Sequence, residues 1–244
     1  YVRSQLAQYE IVEIARIVRP GQEAATTPPC VSDLHALPER PDLIIDCGGH
    51  AALAAHGPVA LALGIDVLTV SLGALADPQL EATLTAAAEA GGSRLHLVSG
   101  AIGGLDALRG ARAGTLAKVI YTGRKPPKGW AGSPAEDVLD LGQLTEPAVH
   151  FKGTARAAAL AYPKNANVAA AVALAGIGFD ATQVALIADP LVTTNIHEVF
   201  AEGDFGSFQF SISGKGLPEN PRSSALAAMS VVSALVERQK RIGF

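Results

Sequence analysis

The first 100 residues alternate short β-branched runs with Ala-rich stretches of helical length, a rhythm that fits βα units on a parallel sheet and little else. Strands are expected at 11–18, 43–46, 67–71 and 95–98, with helices near 51–63, interrupted by Gly57-Pro58, and at 78–90. Runs that are apolar at successive positions need cover on both faces, as a doubly wound sheet provides. Ligands in such sheets bind beyond the carboxyl ends of the strands. Those ends read Val18-Arg19-Pro20-Gly21, Asp46-Cys47-Gly48-Gly49-His50, Ser71-Leu72-Gly73 and Ser99-Gly100-Ala101-Ile102-Gly103-Gly104. Any tight turn can use glycine, but glycine in three successive turns points to a shared cleft where a flat ligand meets the main chain.

After Gly114 the rhythm changes. Residues 118–122 read as a strand, 124–134 as a Pro/Gly/Lys-rich connection, and 153–176 as largely helical with a new start near Pro163. Strands follow at 184–188, 197–201 and 208–212, the last two joined by Glu202-Gly203-Asp204-Phe205-Gly206, a hairpin-type turn. The expected fold class is α/β: a Rossmann-type doubly wound domain at 1–114 and a second α+β substrate and dimerisation domain at 115–215. A helix over 223–239, with Leu226, Met229, Val232, Leu235 and Val236 on one stripe, lies in the remaining segment 216–244 and is expected to pack back on the first domain.

With 244 residues, 49% of them hydrophobic and 17% charged, the chain has core material for one large or two modest domains. Its net charge is −4, and Lys and Arg are scattered singly, so there is no footprint for nucleic acid. Its apolar runs stop short of the roughly 18 residues a membrane span needs, and no secretory signal pattern opens the chain. A cytoplasmic protein with a small-molecule partner is expected. Cys30 and Cys47 form no CxxC pair, which argues against a disulfide scaffold and structural zinc. His50 and His56 are six residues apart and would fall on different faces of a helix, so no metal is expected. Cys47 with His50 is a poor candidate nucleophile, since a cysteine ending a buried strand ordinarily fills space. His96 and His150 have no partner in sequence and read as structural or surface residues.

Three groups of segments, in order, resemble the L-aspartate dehydrogenase family. They are Asp46-Cys47-Gly48-Gly49-His50 with Val70-Ser71-Leu72-Gly73-Ala74-Leu75-Ala76-Asp77; Leu97-Val98-Ser99-Gly100-Ala101-Ile102-Gly103-Gly104-Leu105-Asp106 running to Tyr121-Thr122-Gly123-Arg124-Lys125-Pro126-Pro127; and Pro163-Lys164-Asn165-Ala166-Asn167-Val168-Ala169 with Asn195-Ile196-His197-Glu198 and Glu202-Gly203-Asp204-Phe205-Gly206. The resemblance implies oxidation of L-aspartate by NAD or NADP to iminosuccinate, which hydrolyses to oxaloacetate and ammonia, or the reverse amination. It also implies a homodimer and, in some members, a role in NAD biosynthesis. The family opens with a strand and a GxGxxG-type turn whose helix N-terminus holds the pyrophosphate. This chain starts at Tyr1-Val2-Arg3-Ser4-Gln5, inside the first helix of that pattern, so such a segment is expected ahead of Tyr1.

Candidate cofactor contacts are Cys47, Gly48, Ser71 and Ala101 in the strand-end turns, together with Arg19 and, by resemblance, Asn167. Arg19 follows the second strand of the pattern, where an acid usually meets the ribose 2′-OH and an arginine instead suits a 2′-phosphate; a solvated strand-end arginine is the alternative. Lys164 and Asn165 open a helix at Pro163, and a helix N-terminus with a lysine offers N–H donors and a cation to the substrate's carboxylates, although capping alone would use the same residues. His197 matches the family's catalytic histidine. A neutral imidazole near pH 7 suits both deprotonation of an amine and activation of water for imine hydrolysis. Two rivals stay open on sequence: a homoserine dehydrogenase-like enzyme acting on another small acid, and a non-catalytic nucleotide-binding protein.

Overall fold

The structure is a computed structural model that describes every residue except Lys164, Ala166 and Phe244, and the side chains of the rest except Pro221 and Arg222. In its first part α1 (Val2–Leu6), β1 (Arg16–Ile17) and β2 (Cys30–Val31) precede β3 (Leu43–Asp46), α2 (His50–Ala62), β4 (Asp66–Thr69), α3 (Pro78–Gly91), β5 (Leu95–Leu97) and α4 (Leu105–Ala111). Strands β3, β4 and β5 form a parallel sheet in that order, while β1 pairs with β2 in parallel. The strand expected over 11–18 is paired only at Arg16–Ile17. Val12 is 82% exposed, and strand propensity without a neighbour to pair with leaves the rest of the run irregular.

Successive residues of the sheet face opposite ways, and both faces are covered. Ile44 and Val67 pack into the cluster that holds Leu53, Leu61 and Leu84 of α2 and α3. Leu43, Ile45 and Leu68 pack instead with Leu6 of α1 and with Val231 and Leu235 of the last helix. The expected break at Gly57-Pro58 does not occur, and α2 runs through Pro58. Gly57 lies so close to its neighbour that an added Cβ would stand 2.8 Å from Leu84 Cδ2, and this tight packing on α3 outweighs the proline's missing N–H. Helix α3 carries its own boundaries: Asp77 caps it through the Gln79 amide, Pro78 opens it, and Gly92 at φ +63° ends it.

The second part contains β6 (Leu116–Lys125), β7 (Ala148–Thr154), α5 (Ala155–Ala161), α6 (Asn167–Ala175), β8 (Gln183–Ala188), β9 (Asn195–Gly203) and β10 (Gly206–Gly214). Its sheet has the order β10-β9-β6-β8-β7, with β6 and β8 parallel and the other pairs antiparallel. The β9–β10 hairpin turns at Asp204-Phe205, with Gly203 opposite Gly206, as its sequence suggests. Strand β6 extends past the expected 118–122 to include Arg124 and Lys125, read from sequence as part of a connection. Strand β7, not expected at all, adds an edge to the sheet. Helix α6 is almost wholly buried alanine and valine, which lets it lie close against the sheet.

After β10 the chain forms β11 (Gly216–Leu217), β12 (Asn220–Ser224) and α7 (Ala225–Gln239). Helix α7 does cover the first sheet, on a face rotated from the expected stripe: Leu235 is buried with Val232 packed beside it, as expected, but Ser230 and Val231 are buried too and Met229 is 46% exposed. Polar contacts fix this rotation. Ser230 Oγ accepts from the Gly100 amide at 3.2 Å, and Arg238 reaches both His96 and Asp66. No helix among the described residues is long and apolar enough to cross a membrane.

Candidate active site

Two strand ends of the first part are braced by one carboxylate. Asp46, buried at the end of β3, accepts from Thr69 Oγ1 at 2.6 Å and from the Gly48 amide at 2.9 Å, while Thr69 Oγ1 accepts from the Ser71 amide at 2.8 Å. The turns after β3 and β4 are thereby held in register. Gly49 and Gly100 have φ of +92° and +66°, and a Cβ at either would meet nothing within 4 Å, so backbone lies open to an incoming ligand there. Ser71 Oγ is buried with no hydrogen-bond partner among the described residues. Cys47, just past the end of β3, is exposed rather than a packed filler. The surrounding protein first, and the Asp46 carboxylate second, push its thiol up, which keeps it protonated and unsuited to nucleophilic work.

Asn167, the first residue of α6, joins the two parts. Its Oδ1 accepts from the Gly73 amide at 2.9 Å and lies 2.8 Å from His50 Nε2, which must then carry the ring proton. The contact depends on glycine: a Cβ on Gly73 would fall 2.8 Å from Asn167 Oδ1 and 2.7 Å from His50 Cε1. A second contact lies at the turn after β5, where Gly103 would put a Cβ 2.7 Å from Phe210 of β10.

The sheet of the second part carries a buried cluster of titratable groups. Gly123 of β6 is opposite His197 of β9, so Tyr121 and Lys125, two residues to either side of Gly123 on the same face, flank the imidazole. Lacking a side chain, Gly123 leaves room for Tyr121 Oη to sit 2.7 Å from His197 Nδ1. Burial pushes the Tyr121 phenol well above its usual range, so it keeps its proton. His197 Nδ1 is its partner: the hydroxyl donates to Nδ1 when the ring proton is on Nε2 and accepts from Nδ1–H when Nε2 is bare. Burial first and the Lys125 charge second lower His197 to about 4, so the ring is neutral at physiological pH.

Lys125 is itself buried and is lowered by that burial to about 8. Its Nζ donates to Asn165 Oδ1 at 2.7 Å and stands 4.8 Å from the centre of the Trp130 ring, whose Nε1 donates to the Ile187 carbonyl. Its neighbour Arg124 is committed to Asp189 at 2.7 Å. His150, at a register shift in β7, packs against Trp130 and pairs Nδ1 with Tyr162 Oη at 3.1 Å, leaving Nε2 buried without a partner among the described residues. Burial, and then Lys125, lower it to about 4 as well.

Of the residues singled out from sequence, Gly48 and Ser71 share the Asp46 brace, and Asn167 reaches over to the neighbouring Gly73 and His50. Asn165 is tied to Lys125 beside His197, and Ala101 lies half-buried in the turn after β5. Arg19 is exposed just beyond β1. Lys164 lies outside the described residues. Sequence reasoning missed Tyr121, Lys125, Trp130 and Tyr162, and took His150 for a residue without a partner. The one signal available was the alternation Tyr121-x-Gly123-x-Lys125 in a strand ending near a histidine strand. His96, also read as partnerless, pairs with Asp66 at 2.9 Å. Among the described residues no group of His, Cys, Asp or Glu could hold a metal ion.

A ligand-receiving parallel sheet linked to a separate sheet of buried acid–base groups divides labour as two-domain nicotinamide-dependent oxidoreductases do. Residues 2–98 match the family described as "Homoserine dehydrogenase, NAD binding domain", and residues 106–238 match "Aspartate dehydrogenase, C-terminal". The L-aspartate dehydrogenase of Ruegeria pomeroyi is 61% identical over 226 residues, spanning 91% of this chain and 82% of that relative. That of Pseudomonas aeruginosa is 55% identical over 204 residues, spanning 83% and 76%. In fold, the chain is similar to the crystal structure of aspartate dehydrogenase from Thermotoga maritima, with a TM-score of 0.79 at 23% identity, covering 100% of this chain and 94% of that one. The chain belongs to the L-aspartate dehydrogenase family.

Proposed function

We propose that this protein oxidises L-aspartate to iminosuccinate with reduction of NAD or NADP, water then releasing oxaloacetate and ammonia, and that it runs the amination in reverse. The observation that carries this reading is the neutral, buried His197, braced by Tyr121 and set beside a buried cation. The family match supports the same chemistry. The nicotinamide, when bound, supplies the two-electron acceptor. The turns suit a dinucleotide: Ser71 Oγ is a buried hydroxyl without a partner among the described residues, and Gly49 and Gly100 leave main chain uncovered. Gly48, Ser71, Ala101 and Asn167 would hold it, with Cys47 at the rim and Arg19 toward a 2′-phosphate.

In this reading His197 is the acid/base residue. Its Nε2 is the ring nitrogen left for substrate: with the ring proton on Nδ1, donated to Tyr121 Oη, Nε2 is free to take a proton from the reacting amine or from the hydrolytic water and later returns it. The Tyr121 hydroxyl, which can donate to Nδ1 or accept from it, follows the change of tautomer. Asn165 and Lys164 serve the substrate. Residues 1–114 with 216–244 form the dinucleotide-binding domain and 115–215 the substrate and dimerisation domain of a cytoplasmic homodimer; light scattering on the purified protein tests the dimer.

The test is NAD(P)H formation with L-aspartate against L-homoserine, and the same assay on His197→Asn. That variant keeps a polar side chain but removes the titrating ring, so kcat should fall about 10²- to 10⁴-fold while cofactor affinity holds. Near-normal kcat across about pH 7–10 would leave His197 a structural residue and require another base.

A further inference from the structure

Lys125 is 8% exposed, and among the described residues no carboxylate forms an ion pair with it. The carboxylate brought alongside by strand register, Asp189 next to Ala188, is taken by Arg124 and by the Leu191 amide. A buried ammonium with no counter-charge is costly and is retained where an anion comes to meet it. The groups set against it offer no charge of their own: His197 from β9 and His150 from β7 are neutral, Tyr121 is pushed up by burial, and Tyr162, behind His150, is pushed up by burial and then by the charge of Asp137, a carboxylate that forms no ion pair with Lys125. Asn165 fixes one of its protons and Trp130 covers one side, which leaves donors for an incoming group.

Resting on the aspartate reading above, we propose that Lys125 is the substrate's carboxylate anchor: its ammonium, held by Asn165 against Trp130, pairs with one carboxylate of the dicarboxylic amino acid and sets the amine-bearing carbon beside His197. The anchor makes the site selective for acids and gives that selectivity a pH limit. Burial holds Lys125 near 8, so the cation is present below that pH and lost above it. Affinity for a dicarboxylate should therefore fall about tenfold per pH unit above about 8. A lysine acting as proton acceptor would show the opposite sign, with activity climbing through the same pH.

Succinate is the probe, because it has no amine and both its carboxylates are ionised throughout this range. Calorimetric titration of the cofactor-saturated protein should show wild-type binding weakening above about pH 8. Lys125→Met should bind about 10- to 100-fold more weakly and without that pH dependence, the loss expected for one charge-assisted hydrogen bond. Lys125→Arg should restore binding to within a few fold and keep it across the pH range, since guanidinium does not titrate there. With L-aspartate, KM should rise in Lys125→Met by the same factor while kcat falls far less. Wild-type succinate affinity that stays flat through pH 8, or a Lys125→Met variant that binds succinate as wild type does, would overturn the proposal. The wild-type measurement needs no variant to fold. Absence of aspartate turnover by the wild type would sink the functional reading alone, because the succinate titration does not depend on turnover.

Discussion

Replacing Tyr121 with Phe isolates the bond that holds the His197 ring and follows its tautomer. The ring stays, with its centroid 6.1 Å from the imidazole and the two planes 19° apart, so packing changes little. What goes is a hydroxyl 2.7 Å from Nδ1, in a place where both residues are under 5% exposed. A buried polar atom left without its partner costs about 1–3 kcal/mol, and at about 2–4 °C per kcal/mol for a chain of this size the melting temperature should drop about 2–12 °C. Catalysis should suffer separately. Without the hydroxyl, Nδ1 has no partner in either tautomer and the ring orientation is not fixed, so kcat should fall about 10- to 100-fold, part of what a positioned acid/base group contributes. KM for aspartate should move far less. Calorimetric melting and initial rates of NAD(P)H formation measure the two effects on one preparation. If Tyr121→Phe melts lower yet keeps kcat within about twofold, the hydroxyl only fills a hydrogen-bond vacancy and the tautomer argument fails.

Gly73→Ala would drive a methyl group to 2.8 Å from Asn167 Oδ1 and so open the contact with Gly73 and His50. Losing two hydrogen bonds of about 1 kcal/mol each should weaken NAD(P)H binding about 5- to 30-fold in a fluorescence titration, and unchanged affinity would show that Asn167 does not shape the cofactor cleft. Arg19→Ala should raise KM for NADP much more than for NAD; equal changes for both would mean that the exposed guanidinium does not read the 2′-phosphate.

The parts of the fold legible in the sequence are those whose cause is local. Helix α3 carries Asp77, Pro78 and Gly92 at its ends, and β3 is an unbroken apolar run stopped by Asp46-Cys47-Gly48. The β9–β10 hairpin is marked by its glycines. What escaped depends on partners distant in the chain. Lys125 looked like loop because Pro126 and Pro127 follow it, yet pairing with β8 at Ala188 carries the strand to that point. His150 gave no signal because its partners, Tyr162 and Trp130, lie 12 and 20 residues away on either side. The exposed face of α7 was misjudged for the same reason: hydrophobic spacing allowed several rotations, and Ser230 on Gly100 and Arg238 on Asp66 select one. His197 was found through the resemblance of its surrounding motif, while its Tyr121 partner required knowledge of the register between β6 and β9.

Helix α7 also sets an order of events during synthesis. Leu43, Ile45, Leu68 and Val98 precede the second sheet in the chain, but the side chains that shield them, Val231 and Leu235, are made only after it. Until then one face of the nascent parallel sheet stands uncovered, a greasy surface adjoining unfinished chain. The first part thus cannot mature as an independent vectorial unit. Its completion waits for the second sheet to be made and for the chain to return, which couples assembly of the nucleotide-binding core to arrival of the entire substrate-binding sheet.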